Sequence, residues 1–387
     1  MNGVRFEFAT ATRVVFGPGS LAELGPLASA FGSRALLVTG RTPERAEAAR
    51  ERLASGGVAS IAFNVIGEPT VGDVRRATDL ARSEGADLVV ACGGGSAIDA
   101  GKAVAALLGN GGDPLDYLEV VGRGRAITLP TAPFVAIPTT AGTGSEVTRN
   151  AVLASPEHRV KASLRSPLML ARAAIVDPDL LLGLPPHVVA AGGLDAFAQL
   201  VEPFVSVRAN PLVDALCREG LARSARSLRR AYEGDRSEAV RVDLALASLF
   251  GGIALANAGL GAVHGFAAPV GGMFDAPHGA TCAALLPAVL RVNLAALSRR
   301  RPESPALGRY REIAAIVTGR PGATAEDGAS WVESLVRVLE IPGLSHWGAS
   351  AADVPALVAK ARAASSMKGN PVELDETELA EIARASL

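Results

Sequence analysis

Two histidines, His264 and His278, stand in the stretch AVHGFAAPVGGMFDAPHG, where nearly every other residue is apolar or glycine. The whole chain of 387 residues holds only five histidines. Upstream, PPHVVAAGGLDAFAQLVEPFVS reads as a helix opening at Pro185 and Pro186. It carries Asp195 and Gln199, which are four apart and so share one face. A carboxylate inside an apolar helix is costly unless it is paired or bound to a metal. Asp195, His264 and His278 form an N/O donor set suited to Zn²⁺ or Fe²⁺. Three protein ligands with open positions are the pattern of a catalytic centre rather than a structural one. The plainer alternatives are core histidines with one hydrogen bond each, and an Asp195 that accepts backbone N–H groups near a helix end.

A second chemistry is written in glycine. GGGS at residues 93–96 follows a hydrophobic run and precedes a helical one. Glycines let a backbone approach a ligand closely, and the helix N-terminus then offers free N–H groups to an anion such as a pyrophosphate. The spacing is not GxGxxG. Another loop, PTTAGTGSEVT at 138–148, brings Thr139, Thr140, Thr143 and Ser145, which can donate to phosphate or ribose oxygens. Each loop alone is also readable as a tight turn. Two of them after neighbouring strands would face one crevice of a parallel sheet, where such sheets bind nucleotides.

The elements needed to hold these residues are visible as alternation. RALLVTG (34–40), ASIAFNVI (59–66), DLVVAC (87–92) and FVAIPT (134–139) read as strands. Between them, TPERAEAARERLASGG and TVGDVRRATDLARSEG read as helices, with Thr42 as an N-cap ahead of Pro43. Ser20 and Glu23 have capping-box spacing for an earlier helix. The pattern predicts βαβ units and a mainly parallel sheet covered on both faces. From Pro185 onward the texture turns to Ala/Leu/Val/Arg stretches at helical spacing. The expected organisation is an α/β domain over 1–184 and an all-helical domain over 185–387.

Composition narrows the class. The 38 basic and 39 acidic residues are well mixed, so no stripe or tail points to nucleic acid. Three scattered cysteines, Cys92, Cys217 and Cys282, suit reduced thiols in a cytoplasm better than disulfides. Cys92 reads as strand core and Cys282 as packing at a helix start. The N-terminus lacks the continuous apolar run of a signal peptide. The uncharged stretch at 244–263 is long enough to span a membrane, but its alanine and glycine favour a buried core helix.

Taken together, GGGSAIDAGKA, PTTAGTGSEVT, IVDPDL, GLDAFAQLVEPFVS and HGFAAPVGGMFDAPHG resemble the group III, iron-containing alcohol dehydrogenases, in order and spacing, from about Phe6 to the C-terminus. The resemblance implies the dehydroquinate synthase-like fold: an N-terminal dinucleotide-binding α/β domain, then an all-α domain, with a metal in the cleft. It places metal ligands on Asp195, His264 and His278. It places the pyrophosphate loop on Gly94, Gly95 and Ser96 with Asp99 behind them, the double threonine on Thr139 and Thr140, and a lysine near the nicotinamide ribose on Lys161. It implies NAD or NADP, one divalent metal, a small alcohol or aldehyde substrate, no nucleic acid or membrane, and a homodimer or higher homo-oligomer.

Three positions depart from the family pattern. Gln199 stands where a metal histidine is usual, so a neutral amide or water would complete the metal shell, and Zn²⁺ becomes as fitting as Fe²⁺. Ala268 stands where a further histidine serves proton traffic. Gly40, followed by Arg41, stands where NAD-preferring members have an aspartate on the adenosine ribose. Loss of that carboxylate admits a 2′-phosphate, which Arg41 is placed to bind. The expected reaction is hydride transfer between a carbinol carbon and the nicotinamide, with the metal as Lewis acid. The alternatives are a metal-independent reductase of the maleylacetate reductase type and a non-catalytic nucleotide-binding protein.

Overall fold

The computed structural model describes residues 5–158 and 160–387. The first four residues, part of the N-terminal reading above, lie outside them. The chain forms two compact units. One comprises residues 9–140 and 144–183. The other comprises 184–387 together with 141–143 and the described residues 5–8.

The first unit is built on a six-stranded sheet in the order β1-β8-β5-β4-β2-β3. Its strands are β1 (Val14–Phe16), β2 (Arg34–Thr39), β3 (Ala59–Asn64), β4 (Leu88–Gly93), β5 (Phe134–Pro138) and β8 (Ala173–Val176), all paired in parallel. Every residue of β4, β5 and β8 is buried. That is why LVVACG and FVAIP read as continuous apolar runs: both of their faces are covered. The helices are α1 (Leu24–Ser29), α2 (Glu47–Ser55), α3 (Val71–Ser83), α4 (Gly95–Asn110) and the short α5 (Pro114–Tyr117). An antiparallel hairpin, β6 (Asn150–Ser155) with β7 (Val160–Arg165), had no counterpart in the sequence reading. The strand order reverses direction between β2 and β4. Open parallel sheets bind ligands at such a switch point, and Gly40 and Gly93 end the two strands that flank it.

Two local expectations fail. Ser20 and Glu23 form no capping box. They lie in a 3₁₀ turn entered through Gly19 in the left-handed conformation, φ 76°. The Gly19 and Leu21 N–H groups donate instead to the Asp177 carboxylate, at 3.1 and 3.0 Å. An ionised acceptor at the end of β8 outcompetes a local hydroxyl. Thr42 does precede Pro43, but its side chain caps nothing. Its backbone, φ −112° and ψ 82°, is off the extended geometry that aims a capping oxygen. Thr70 and Asp73, by contrast, make a full capping box on α3.

The second unit is helical: α6 (Pro186–Val205), α7 (Pro211–Tyr232), α8 (Glu238–Ala258), α9 (Ala262–Phe274), α10 (His278–Arg300), α11 (Pro305–Thr318), α12 (Ala325–Val338), α13 (Val354–Ala363) and α14 (Glu376–Ala385). The uncharged stretch at 244–263 is not one helix. It breaks at Gly259, φ 73°, between α8 and α9. Helices α6, α8 and α10 are long and apolar enough to cross a membrane, yet 83, 61 and 78% of their most apolar windows are buried within the protein. Their hydrophobicity builds the core, in which Phe197, Phe204, Phe266 and Leu285 are fully buried.

Candidate metal centre and nucleotide loops

Helix α6 carries Asp195, Gln199 and Glu202 on one buried face. His264 sits in the first turn of α9, and His278 is the first residue of α10. Gly279 lets α10 approach α6 closely: an added Cβ there would lie 2.7 Å from the Ala191 carbonyl oxygen and 3.5 Å from Asp195 Cβ. The result is a tight donor set. His264 Nε2 lies 3.3 Å and His278 Nε2 3.7 Å from Asp195 Oδ1. Both Asp195 oxygens and His264 Nε2 are buried with no hydrogen-bond partner. Asp195 therefore does not accept backbone N–H groups, the alternative left open above. A carboxylate that is 1% exposed and accepts no hydrogen bond is suited to a cation. The residues present fit a divalent metal.

Two residues complete this picture. Glu202, to which the sequence reading gave no role, accepts from His264 Nδ1 at 2.6 Å and from the Val263 N–H at 2.7 Å. That contact occupies Nδ1 and leaves Nε2 as the nitrogen available to a metal. Its signal was available: it lies seven residues beyond Asp195, two helical turns along one face. Cys282 corrects an expectation. It does more than pack at a helix start, because it lies one turn after His278 and its Sγ is 3.7 Å from His278 Nε2. Asp195, His264, His278 and Cys282 each bring one ligand atom to within 4.8 Å of the others. Gln199 lies one turn beyond Asp195, its Oε1 buried without a partner and against Gly251 of α8. Ala268 is exposed and brings no titratable group.

The electrostatics tell the same story. Cys282, then Asp195, push His278 up to about 9 against the opposing effect of burial. Burial pulls His264 down, but Cys282, Glu202 and Asp195 together carry it well above the ordinary histidine value. Burial raises Asp195, yet His278 and His264 outweigh it and hold the carboxyl low. A site this negative takes up positive charge, whether protons or a metal, and the two compete.

The two candidate nucleotide loops lie in the α/β unit, save for residues 141–143. Gly94 is the N-cap of α4, with no side chain capping it, and Gly95 and Ser96 are the first two helical residues. A Cβ added to Gly93 would lie 3.3 Å from the Gly40 nitrogen, and one added to Gly94 would lie 3.3 Å from Thr140 Oγ1. The ends of β2 and β4 and the double threonine thus converge. Thr139 is buried, and its N–H donates to the Gly93 carbonyl at 2.9 Å. Gly40 opens onto free space, with nothing within 4 Å of an added Cβ. Arg41 beside it is exposed. Ser145 is buried in the 3₁₀ turn that follows, and Thr143 belongs to the 141–143 segment grouped with the helical unit. Lys161, on β7, pairs with Glu68 at 3.2 Å.

Behind the loop lies a cluster that sequence reasoning passed over. Lys102, on α4, is fully buried. Its Nζ donates to Thr148 Oγ1 at 2.8 Å and to the Asn150 carbonyl, and lies 3.2 Å from Asp99 Oδ1. Asp99 Oδ2 accepts the Val152 N–H at 3.0 Å. Burial raises Glu146, next to this group, to about 7, although Lys102 opposes the shift. Asp99 and Lys102, three apart on an otherwise apolar helix, were the readable sign. The cluster ties α4 to the hairpin and so holds the start of that helix in place.

Comparison with known proteins agrees with this geometry. Residues 11–178 match the family model described as iron-containing alcohol dehydrogenase, and residues 189–387 match the C-terminal model of the same family. The chain is 34% identical to the 1,3-propanediol dehydrogenase of Citrobacter freundii over 98% of both chains. It is 32% identical to a choline dehydrogenase of Bacillus subtilis over 95% of this chain and 92% of the other. Among solved structures, a 1,3-propanediol oxidoreductase superimposes with a TM-score of 0.92 at 32% identity, covering 99% of this chain and 100% of the other. A sulfoacetaldehyde reductase from Bifidobacterium kashiwanohense in complex with NAD⁺ superimposes with a TM-score of 0.87 at 27% identity, covering 99% of both chains. A parallel-sheet nucleotide unit and a helical metal-binding unit define an NAD(P)-dependent, metal-dependent oxidoreductase acting on alcohols or aldehydes. The chain belongs to the iron-containing alcohol dehydrogenase family.

Proposed function

We propose that this enzyme interconverts a small or medium, weakly polar alcohol and its aldehyde, accepts NADP(H), and works in the cytoplasm as a homodimer or larger homo-oligomer. The observation that carries the reading is the convergence of Asp195, His264 and His278, with both Asp195 oxygens and His264 Nε2 buried and without a hydrogen-bond partner. When bound, a divalent metal supplies Lewis acidity toward the substrate oxygen, and the nicotinamide supplies or accepts the hydride. The protein supplies position. Asp195 and the two imidazoles fix the cation, and Glu202 holds His264 in its ligating tautomer. The N–H groups of Gly95 and Ser96, at the start of α4, receive the pyrophosphate, and Thr139 and Thr140 line the same loop. Arg41, beside an open Gly40, pairs with a ribose 2′-phosphate. Lys161 supports the nicotinamide ribose, and Asp99, held by Lys102, stands behind the pyrophosphate loop. With Ala268 in place of a titratable group, the hydroxyl proton leaves through water.

The test is nicotinamide absorbance during reduction of short-chain aldehydes by chelator-stripped protein, with and without Fe²⁺ or Zn²⁺, using NADH and NADPH. Metal-restored turnover with NADPH is expected, and Gly40→Asp should move the preference toward NADH by roughly tenfold. Turnover indifferent to metal would sink the metal role. An unchanged cofactor ratio in Gly40→Asp would sink the reading of the β2 end.

A further inference from the structure

We propose that Cys282 is a fourth protein ligand of the metal, its thiolate joining Asp195 Oδ1, His264 Nε2 and His278 Nε2 and leaving a fifth position for the substrate oxygen. The inference rests on the metal reading above and deepens it, because the family resemblance gives Cys282 no role.

Geometry carries the argument. A tetrahedral cation with bonds of about 2.0–2.3 Å spaces its N and O ligands ~3.3 Å apart, and a sulfur ~3.6 Å from them. The separations here are 3.3 Å between His264 Nε2 and Asp195 Oδ1, 3.7 Å between His278 Nε2 and Asp195 Oδ1, and 3.7 Å between Cys282 Sγ and His278 Nε2. These three separations are close to edges of such a tetrahedron, and the remaining pairs lie within 4.8 Å. Cys282 is one turn after His278 on α10, so both side chains leave the same face. The sulfur is aimed into a group whose other members, the Asp195 oxygens and His264 Nε2, are buried and unpartnered. Cys92 and Cys217 are buried elsewhere and belong to no such group of potential ligands among the described residues.

Sequence supplies the reason a cysteine suits this place. Gln199, one turn beyond Asp195, offers only a neutral amide, its Oε1 buried without a partner. A thiolate restores donor strength from another helix. It also adds a second negative charge, so Asp195 and Cys282 together neutralise a divalent ion. Coordination replaces the S–H bond with a sulfur–metal bond and releases that proton to solvent, and no electron changes hands. Softer donors favour Zn²⁺ over Fe²⁺. This centre therefore takes a thiolate-tolerant cation.

The experiment is titration of the metal-stripped full-length chain with Co²⁺, followed by absorption. The wild type is expected to show the visible bands of a tetrahedral ion and a near-ultraviolet sulfur-to-cobalt charge-transfer band. Cys282→Ser, nearly isosteric, should keep the visible bands and lose the charge-transfer band, and Cys282→Ala should do the same. Cys92→Ala and Cys217→Ala should keep both. In competition experiments, the Zn²⁺ over Fe²⁺ preference of the wild type should narrow at least tenfold in Cys282→Ser. Cobalt binding without the charge-transfer band, or a band that survives Cys282→Ser, overturns the ligand assignment while leaving the metal site standing. Failure of the wild type to bind Co²⁺ or Zn²⁺ overturns the metal reading and this proposal with it.

Discussion

Each unit of this enzyme buries a cluster of charged side chains, and the two clusters are finished in different ways. In the α/β unit, Lys102 reaches Asp99, Thr148 and the Asn150 carbonyl, and Asp99 takes the Val152 N–H as well. Lys102 is fully satisfied, and Asp99 Oδ2 is hydrogen-bonded while Oδ1 keeps only its ion contact to Lys102. In the helical unit, Asp195 has neither oxygen hydrogen-bonded, and His264 leaves Nε2 bare. A buried polar group without a partner costs of order 1–3 kcal/mol, more when charged. The first cluster is architecture that holds the start of α4. On the metal reading proposed above, the second is held open at a cost to stability that a bound cation would recover.

The largest effect should come from the open cluster. Asp195→Asn keeps the shape and removes the charge. Loss of metal-centred stabilisation is worth several kcal/mol, so kcat/KM should fall by about 10³-fold or more. Metal content measured by elemental analysis should fall with it, while NADPH binding followed by fluorescence stays intact. A variant that keeps its metal and its rate would erase the distinction between the clusters.

The closed cluster predicts the opposite pattern. Lys102→Met leaves Asp99 and Glu146 buried without their cation. Breaking a buried pair by removing one partner typically costs about 3–5 kcal/mol. Denaturant midpoints should drop accordingly, with metal affinity unchanged. Adding Glu146→Gln should return part of the loss. If Lys102→Met is as stable as wild type, the cluster is not the clamp described here.

A pH series sharpens the same point. Glu146 is carried up to about 7, chiefly by burial and against Lys102, from an ordinary value of 4.5. Its folded form therefore holds a proton more tightly than its unfolded form. The contribution is intact below pH 4.5 and fades as pH rises toward 7. Glu146→Gln should be relatively more stable at pH 8 than at pH 5, by of order 2 kcal/mol. Parallel pH–stability curves for variant and wild type would show that Glu146 is not shifted.

Legibility in the sequence followed the same divide. Strands β4 and β5 were readable because they are buried on both faces and so spell unbroken apolar runs, whereas β1 and β8, only three and four residues long, were not read. The hairpin of β6 and β7 was not readable. Its alternating, half-buried strands are interrupted by Pro156–His158 and carry no strong turn signal. Ser20 and Glu23 misled because their rivals for the helix N-terminus sit on Asp177, more than 150 residues away. Asp195, His264 and His278 could be picked out because such residues are rare in apolar surroundings. Cys282 could not, since a buried cysteine in an apolar helix is ordinary. Only the proximity of α10 to α6 makes it a donor.

Glu202 is where the two kinds of cluster meet, and its test is the most delicate. Its carboxylate is satisfied from within the protein, by the Val263 N–H and by His264 Nδ1, yet it serves the open site through that imidazole. Glu202→Gln keeps the volume and can still accept from both groups through its amide oxygen, but it loses the charge that favours a donating Nδ1. Partners of this kind are worth about 10–100-fold in metal affinity. Zn²⁺ competition against a chromophoric chelator should show a loss in that range, with the folded fraction unchanged. KM for the dinucleotide should not move, and kcat should recover when excess metal is supplied. A loss of activity that saturating metal cannot restore would mean that Glu202 supports the helix packing rather than the imidazole. An affinity equal to wild type would mean that the orientation of His264 is set by the start of α9 alone.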